Sequence, residues 1–124
     1  PIFVVNTYET SLKEHETSLG RPVTVHAIDF DEENTPNSEI VYSIVSTVPQ
    51  GLESNFTLDS TNGTLSVISG FDYKNIIFLP GQEGKITLIV QAKDKGIPPQ
   101  SSTATIVIYL QTANNFPLCQ NKDG

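Results

Sequence analysis

Three segments of the 124-residue chain alternate apolar and polar residues, and this alternation constrains the fold more than any other feature. Apolar side chains occupy every second position of 22–27, 85–92 and 103–110. Because successive side chains of a strand point to opposite faces, the pattern predicts strands with one buried and one solvated face. The chain also contains 10 Val, 12 Ile and 13 Thr, and β-branched residues favour strands over helices. We therefore expect an all-β domain.

Shorter strands are predicted between clusters of Asn, Gly, Pro and Ser. With the alternating segments they give seven strands in about 110 residues, which predicts a seven-stranded Greek-key β-sandwich. The polar segment 9–16 is interpreted as a short connection, and the apolar run in 75–84 is expected to fold inward onto the sandwich. The shorter strands are 2–7, 40–45, 55–59 and 64–68.

Charge and composition exclude several classes of function. The chain has 7 Lys and Arg against 14 Asp and Glu, a formal net charge of −7, so it lacks the basic patch that binds nucleic acid or an anionic membrane. No apolar run approaches the roughly 18 residues of a membrane-spanning helix, and residues 1–6 lack the features of a signal peptide. The sequence is therefore interpreted as a piece of a longer protein. Its single cysteine, Cys119, allows no internal disulfide.

Residues suited to catalysis are scarce. His15 and His26 are the only histidines, and His26 falls on the solvated phase of its predicted strand. The sequence contains no nucleophile elbow, no glycine-rich phosphate loop and no zinc-ligand spacing. Glu14 and Asp72 could form the carboxylate pair of a glycosidase, but such enzymes need aromatic sugar platforms, and the Tyr and Phe residues mostly fall in strand phase. We expect neither an enzyme nor a small-molecule substrate.

Carboxylates follow two of the alternating strands in the phase of the apolar side chains. The phase of 22–27 continues to Asp29 and Asp31, and that of 85–92 continues to Asp94. Unpaired carboxylates are too costly to bury, so these are expected just past the strand ends, where they converge at one pole if the two strands run in the same direction. Three anions about 4 Å apart repel by about 4 kcal/mol per pair. They would either splay into solvent or surround a cation, and oxygen ligands suit Ca²⁺.

Two sequons, at Asn55 and Asn62, are candidates for N-linked glycosylation if the chain enters the secretory pathway. Two such triplets in a chain of this length also arise by chance, and the Asn62-Gly63 pair suits a tight turn between strands. The sequence leaves both interpretations open.

Short motifs are spread over nearly the whole chain. They are Pro1-x-Phe3, Tyr8, Leu12 and Glu14, Gly20, Val25-x-Ala27-x-Asp29-x-Asp31, 40–44, Phe56-x-Leu58-Asp59, 63–65, Asp72-Tyr73, Ala92-x-Asp94-x-Gly96 and Pro98-Pro99. Together they resemble the motifs of a cadherin extracellular repeat. Each motif alone is weakly specific, but their order is strongly specific. The resemblance implies one repeat over 1–112, with 113–124 as the linker and the start of a following repeat or the end of the expressed chain. The absence of Trp and the altered linker resemble the long atypical cadherins or protocadherins of the Fat, Dachsous and tip-link types.

The resemblance implies a calcium site at the N-terminal junction, shared with a preceding repeat. Asp29, Asp31 and Asp94, helped by a carbonyl near Asn37, stand at the positions where the family places ligands. All of the corresponding positions are retained. We therefore expect this junction to bind Ca²⁺.

The C-terminal junction departs from the family's pattern. Glu14, Asp72 and Asn115 match it. Calcium affinity follows the number of ligand charges, so the departures predict few ions or none and a junction that flexes or bends. The alternative that the three matching residues keep one ion stays open. The departing residues are Lys74, Gln111, Ala113 and Asn114.

The resemblance implies a module for calcium-dependent cell adhesion or mechanical linkage, in the extracellular part of a single-pass plasma-membrane protein. The implied partners are neighbouring repeats of the same chain and another cadherin, through homophilic or heterophilic contact. The alternatives are a calcium-binding lectin-like sandwich and a plain spacer of the immunoglobulin or fibronectin type.

Overall fold

The computed structural model describes residues 1–28 and 39–113, which form a β-sandwich. Strands β1 to β8 are Ile2–Phe3, Thr7–Lys13, Ala27–Ile28, Ile40–Val48, Phe56–Leu58, Leu65–Val67, Lys85–Asp94 and Ser101–Gln111. The larger sheet has the order β2-β8-β7-β4, in which β2 is parallel to β8 and the other pairs are antiparallel. The second layer contains the pairs β1-β3 and β5-β6, connected by a bridge between Thr24 and Thr64. The predicted all-β sandwich is confirmed.

The hydrophobic core is centred on the inward phases of β7 and β8. Their antiparallel register sets Ile86 opposite Ile108 and Leu88 opposite Ile106, and all four side chains are fully buried. The alternation in the sequence therefore predicts these two strands correctly. The second layer covers them with Val23, Val25, Phe56, Leu65, Val67 and Phe71.

The first predicted strand is two strands in the structure. The interpretation of 9–16 as a connection is wrong, because β2 pairs with β8 through Lys13 while β1 belongs to the other layer. The inward phase of β2 includes Thr10, which is 6% exposed. Its hydroxyl donates to the carbonyl of Arg21 (2.7 Å) and accepts the Arg21 N–H (3.0 Å). A hydrogen-bonded polar side chain thus stands where an apolar residue would have made the strand recognisable in the sequence. The described residues contain eight strands rather than the predicted seven.

The apolar run in 75–84 is divided between core and solvent. Ile76 and Phe78 are half-buried against the core, and the Phe78 ring lies 5.1 Å from that of Tyr73. Ile77 and Leu79 are exposed by 89% and 50%. The expectation of inward folding therefore holds for alternate residues only.

The strand directions define two poles of the sandwich. At the N-terminal pole, β3 ends beside the start of β1, with Ile28 paired to Ile2, and β7 ends at Asp94. At the C-terminal pole, β2 ends at Lys13 beside the end of β8 at Gln111. The strands β3 and β7 run toward the same pole, which is the direction that convergence of the predicted acids requires.

Candidate metal sites at the two poles

Asp94 is the last residue of β7 and continues its buried phase at 9% exposure. Its Oδ1 accepts the N–H groups of Gly96 (3.0 Å) and Gln100 (2.8 Å), and its own N–H donates to the Gln100 carbonyl (2.9 Å). The expectation that this carboxylate lies past the strand end is wrong. Backbone amides of the following loop offset the cost of burying the charge, so the strand can include it.

The other residues predicted for this pole, Asp29, Asp31 and Asn37, lie outside the described residues. The strand that leads to them ends at Ile28, at the same pole as Asp94. Their part in a calcium site stays a prediction.

Glu14 directly follows β2 and connects three segments at the C-terminal pole. It is 8% exposed. Its Oε1 accepts the N–H of Tyr73 and its Oε2 accepts the N–H of Ala113, each at 2.9 Å, while its own N–H donates to the Gln111 carbonyl (2.8 Å). The carboxylate therefore ties the end of β2 to the segment after Phe71 and to the chain that leaves β8.

Backbone hydrogen bonds lower the pKa of Glu14 below its ordinary value of 4.5, with the Tyr73 N–H as the largest cause and the Ala113 N–H second. Partial burial opposes this effect, and the charges of His15 and Lys74 add to it. The ionised carboxylate is thus stabilised by the protein's own donors.

His15 is a member of this cluster that the sequence reasoning missed as a site residue. Its backbone is left-handed, with φ of 69°, and its N–H donates to the Phe71 carbonyl (2.7 Å). A Cβ atom at Gly70 would lie 2.9 Å from the His15 carbonyl carbon, so glycine permits this close approach. The imidazole Nε2 lies 3.4 Å from Glu14 Oε1. The only sequence signal for His15 as a site residue is its position next to Glu14. The positive φ that brings its side chain to Glu14 cannot be predicted from a single histidine in the sequence.

Asp72 completes the cluster. Its Oδ2 accepts from the side-chain amide of Asn75 (3.1 Å), and ligand atoms of Glu14, His15 and Asp72 all lie within 4.8 Å of one another. With Lys74, these three residues line an open depression of about 410 Å³ that Tyr73 and Thr112 complete. Asn115 lies outside the described residues.

This cluster fits Ca²⁺ poorly. Both Glu14 oxygens already accept backbone N–H groups, and the imidazole nitrogen is a ligand that hard cations disfavour. The Lys74 ammonium also places a positive charge beside the carboxylates. A cation bound here would share the Glu14 oxygens with the N–H groups of Tyr73 and Ala113 and would face the charge of Lys74.

Replacing Glu14 by glutamine is expected to destabilise the protein at neutral pH, because one amide oxygen cannot replace two carboxylate oxygens that each accept an N–H. The folded pKa of Glu14 lies below the unfolded value, so its contribution is complete above pH 4.5 and is lost as the pH falls through the folded pKa. The difference between parent and Glu14→Gln in the free energy of unfolding should therefore shrink below pH 4.5. Urea unfolding at several pH values measures it.

The exposed Glu9 on β2 provides the matched control, since Glu9→Gln makes the same chemical change at a solvent-exposed position five residues earlier. A Glu14→Gln deficit that stays constant from pH 7 to pH 3, or a Glu9→Gln variant with the same pH dependence, would contradict this role for Glu14.

Comparison with known proteins finds similar sequences over most of the chain. The family model of the cadherin domain matches residues 8–111. Cadherin-like protein 26 of Mus musculus is 34% identical over 116 residues, which cover 93% of this chain and 14% of that protein. Cadherin-23 of Homo sapiens is 35% identical over 117 residues, which cover 94% of this chain and 3% of that protein. The chain thus spans a small part of these relatives.

Solved structures show the same fold. Extracellular cadherin domains 3–6 of Protocadherin Gamma B2 superpose with a TM-score of 0.72 at 22% identity, over 98% of this chain and 28% of that one. Mouse Cadherin-23 EC22–24 superposes with a TM-score of 0.65 at 21% identity, over 88% and 32%. Among the described residues, no helix has the length and apolarity needed to cross a membrane.

Proposed function

The chain belongs to the cadherin family, and from this premise we propose that it is one repeat of a tandem ectodomain that acts in calcium-dependent cell adhesion or mechanical linkage. Cadherin domains are adhesion modules and not enzymes. Family membership thus confirms the prediction that the chain is not an enzyme. Family membership also rules out the alternatives of a lectin-like sandwich and of a spacer of the immunoglobulin or fibronectin type.

The relatives are membrane proteins with extracellular repeats. We place this chain likewise in the extracellular part of a single-pass plasma-membrane protein. Its first partners are the preceding and following repeats of the same chain. Association with another cadherin is the second kind of contact, and one of the structural relatives is a cis-dimer of Protocadherin gammaB7.

Cadherin domains bind Ca²⁺ at repeat junctions, and the proposal assigns such a site to the N-terminal pole. The supporting observation is Asp94, a buried carboxylate whose orientation two backbone N–H groups fix at the end of β7. Asp29 and Asp31, with a carbonyl near Asn37, are proposed as the further ligands on this chain. A bound ion would supply a rigid link between this repeat and the preceding one.

The C-terminal pole is proposed to be poor in calcium. The support is the combination of a Glu14 carboxylate already held by two backbone N–H groups, a lysine beside it and a histidine within the cluster. Without ions, two repeats joined here have only their direct contacts to set their angle. This junction is therefore proposed to flex or to bend.

Calorimetric titration with Ca²⁺ tests the N-terminal site. This chain alone supplies only part of the ligand set, so it is expected to bind weakly, in the roughly 10⁻⁴–10⁻³ M range of extracellular modules. Joined to the preceding repeat, it should bind at least roughly tenfold more tightly, because the second repeat adds ligands with their own charge. Equal affinity in the single and tandem proteins would contradict a shared site.

A further inference from the structure

Asn62 lies at the exposed tip of the connection between β5 and β6. Its side-chain oxygen accepts the N–H of Thr64 (2.9 Å), and Gly63 closes the turn with φ of 77°. Asp59 holds the other side, since its Oδ1 accepts the N–H groups of Thr61 (2.8 Å) and Asn62 (2.9 Å). These bonds use the oxygen and the backbone of Asn62. A substituent on the side-chain nitrogen leaves all of them in place.

Asn55 uses its side-chain nitrogen within the fold. Its Nδ2 donates to the carbonyls of Ser69 (3.1 Å) and Gly70 (3.4 Å). The backbone carbonyl of Asn55 accepts the N–H of Ile68 (2.8 Å). The side chain is half-buried and ties the start of β5 to the segment after β6. A sugar on this nitrogen would remove one donor hydrogen and occupy space beside two backbone carbonyls.

We propose that Asn62 carries an N-linked glycan in the secreted protein and that Asn55 does not. In the transfer, Asn62 Nδ2 forms a bond to C1 of the sugar, the bond from C1 to a lipid diphosphate breaks, the lipid diphosphate leaves and one Nδ2 proton passes to a base. The acceptor is the chain before it folds. A chain modified at Asn62 folds with its turn unchanged, whereas a chain modified at Asn55 loses the bridge to Ser69 and Gly70.

Glycosylation therefore leaves the fold unchanged at Asn62 but disrupts it at Asn55. Among glycosylated chains, those modified only at Asn62 are the ones that fold. This inference uses the secretory route that the family implies, but not the calcium proposal. Calcium titration can be performed on protein stripped of its glycan, so failure of one proposal is distinguishable from failure of the other.

The experiment is secretion of the full chain from mammalian cells behind an added signal peptide, followed by intact mass before and after peptide-N-glycosidase digestion. We expect one glycan. Because the digestion converts the glycan-bearing Asn to Asp, peptide mapping locates it, and the converted residue should be Asn62. The Asn62→Gln variant should be secreted without a glycan.

Two variants of the other sequon are the matched controls. Thr57→Ala removes the sequon at an exposed position and keeps the Asn55 amide, so glycan number and thermal stability should be unchanged. Asn55→Gln should also leave glycan number unchanged but lower the melting temperature, because the longer side chain misplaces the donor. A glycan on Asn55 of the folded secreted protein, or an unmodified Asn62, would overturn the proposal.

Discussion

Replacing Asp94 by alanine is expected to lower both the stability of the repeat and its calcium affinity. The variant loses two hydrogen bonds to a charged acceptor, which together contribute roughly 3–6 kcal/mol to the free energy of unfolding. The N–H groups of Gly96 and Gln100 lose their partner, and the proposed calcium site loses a charged ligand. Urea unfolding and calorimetry, on the tandem with the preceding repeat, measure the two losses.

Asp94→Asn separates the two effects. The amide oxygen of asparagine still accepts both N–H groups. The loss in the free energy of unfolding should therefore be less than half of the loss in Asp94→Ala. The charge is absent, so calcium affinity should fall at least roughly tenfold, about 1.4 kcal/mol. If the Asp94→Asn variant binds calcium as tightly as the parent protein, the assignment of Asp94 as a ligand is contradicted.

Asp59→Asn is the matched control for Asp94→Asn. Asp59 also accepts two backbone N–H groups through Oδ1, and these hydrogen bonds, with the Asn62 N–H as the larger cause, lower the pKa of its carboxyl. It lies in the turn that carries Asn62 and is not among the ligands proposed for the N-terminal pole. The variant should destabilise the protein at neutral pH and leave calcium affinity unchanged.

Restoring the family's residues at the C-terminal junction is expected to create calcium binding there. The combined variant carries Lys74→Glu, Gln111→Asp, Ala113→Asn and Asn114→Asp. The three substitutions that change charge alter it by two, one and one units, and the lysine beside Glu14 is removed. The first three positions are exposed in the structure, so folding should be little affected. Calorimetry on the tandem with the following repeat should change from little or no heat of binding to a saturable isotherm.

A variant with Arg21→Glu, Ser43→Asp and Ser66→Asp controls for charge alone. It adds the same total negative charge at exposed positions that are not among the ligands proposed for either pole. In the tandem with the following repeat, this variant should bind calcium no better than the parent. Equal gains in both variants would mean that a diffuse field, and not the junction's ligands, determines affinity.

The fold is largely predictable from the sequence because its core strands alternate cleanly. On β7, the buried phase from Ile86 to Ala92 extends without a break, and the register with β8 follows from it. The prediction fails at β2, where the paired hydroxyl of Thr10 takes the place of an apolar side chain. Apolar periodicity detects only buried hydrophobic residues. It therefore does not predict a strand that buries a hydrogen-bonded polar group.

The candidate sites are less predictable than the fold because they depend on backbone hydrogen bonds. Asp94 has the predicted phase, but its burial depends on amides of a loop whose conformation the sequence does not reveal. Glu14 and Asp72 were predicted as a pair, and the structure brings them together. His15 joins them with its backbone at a positive φ, close to Gly70 and with its N–H bonded to the Phe71 carbonyl, which the sequence does not reveal.

The two poles of this repeat are proposed to differ in their capacity to hold Ca²⁺. The most direct measurement is a side-by-side calorimetric titration of two tandem proteins, one joining this repeat to its predecessor and the other joining it to its successor. We expect a saturable calcium isotherm for the first and weak or undetectable binding for the second. Tight binding in the second tandem together with none in the first would contradict it.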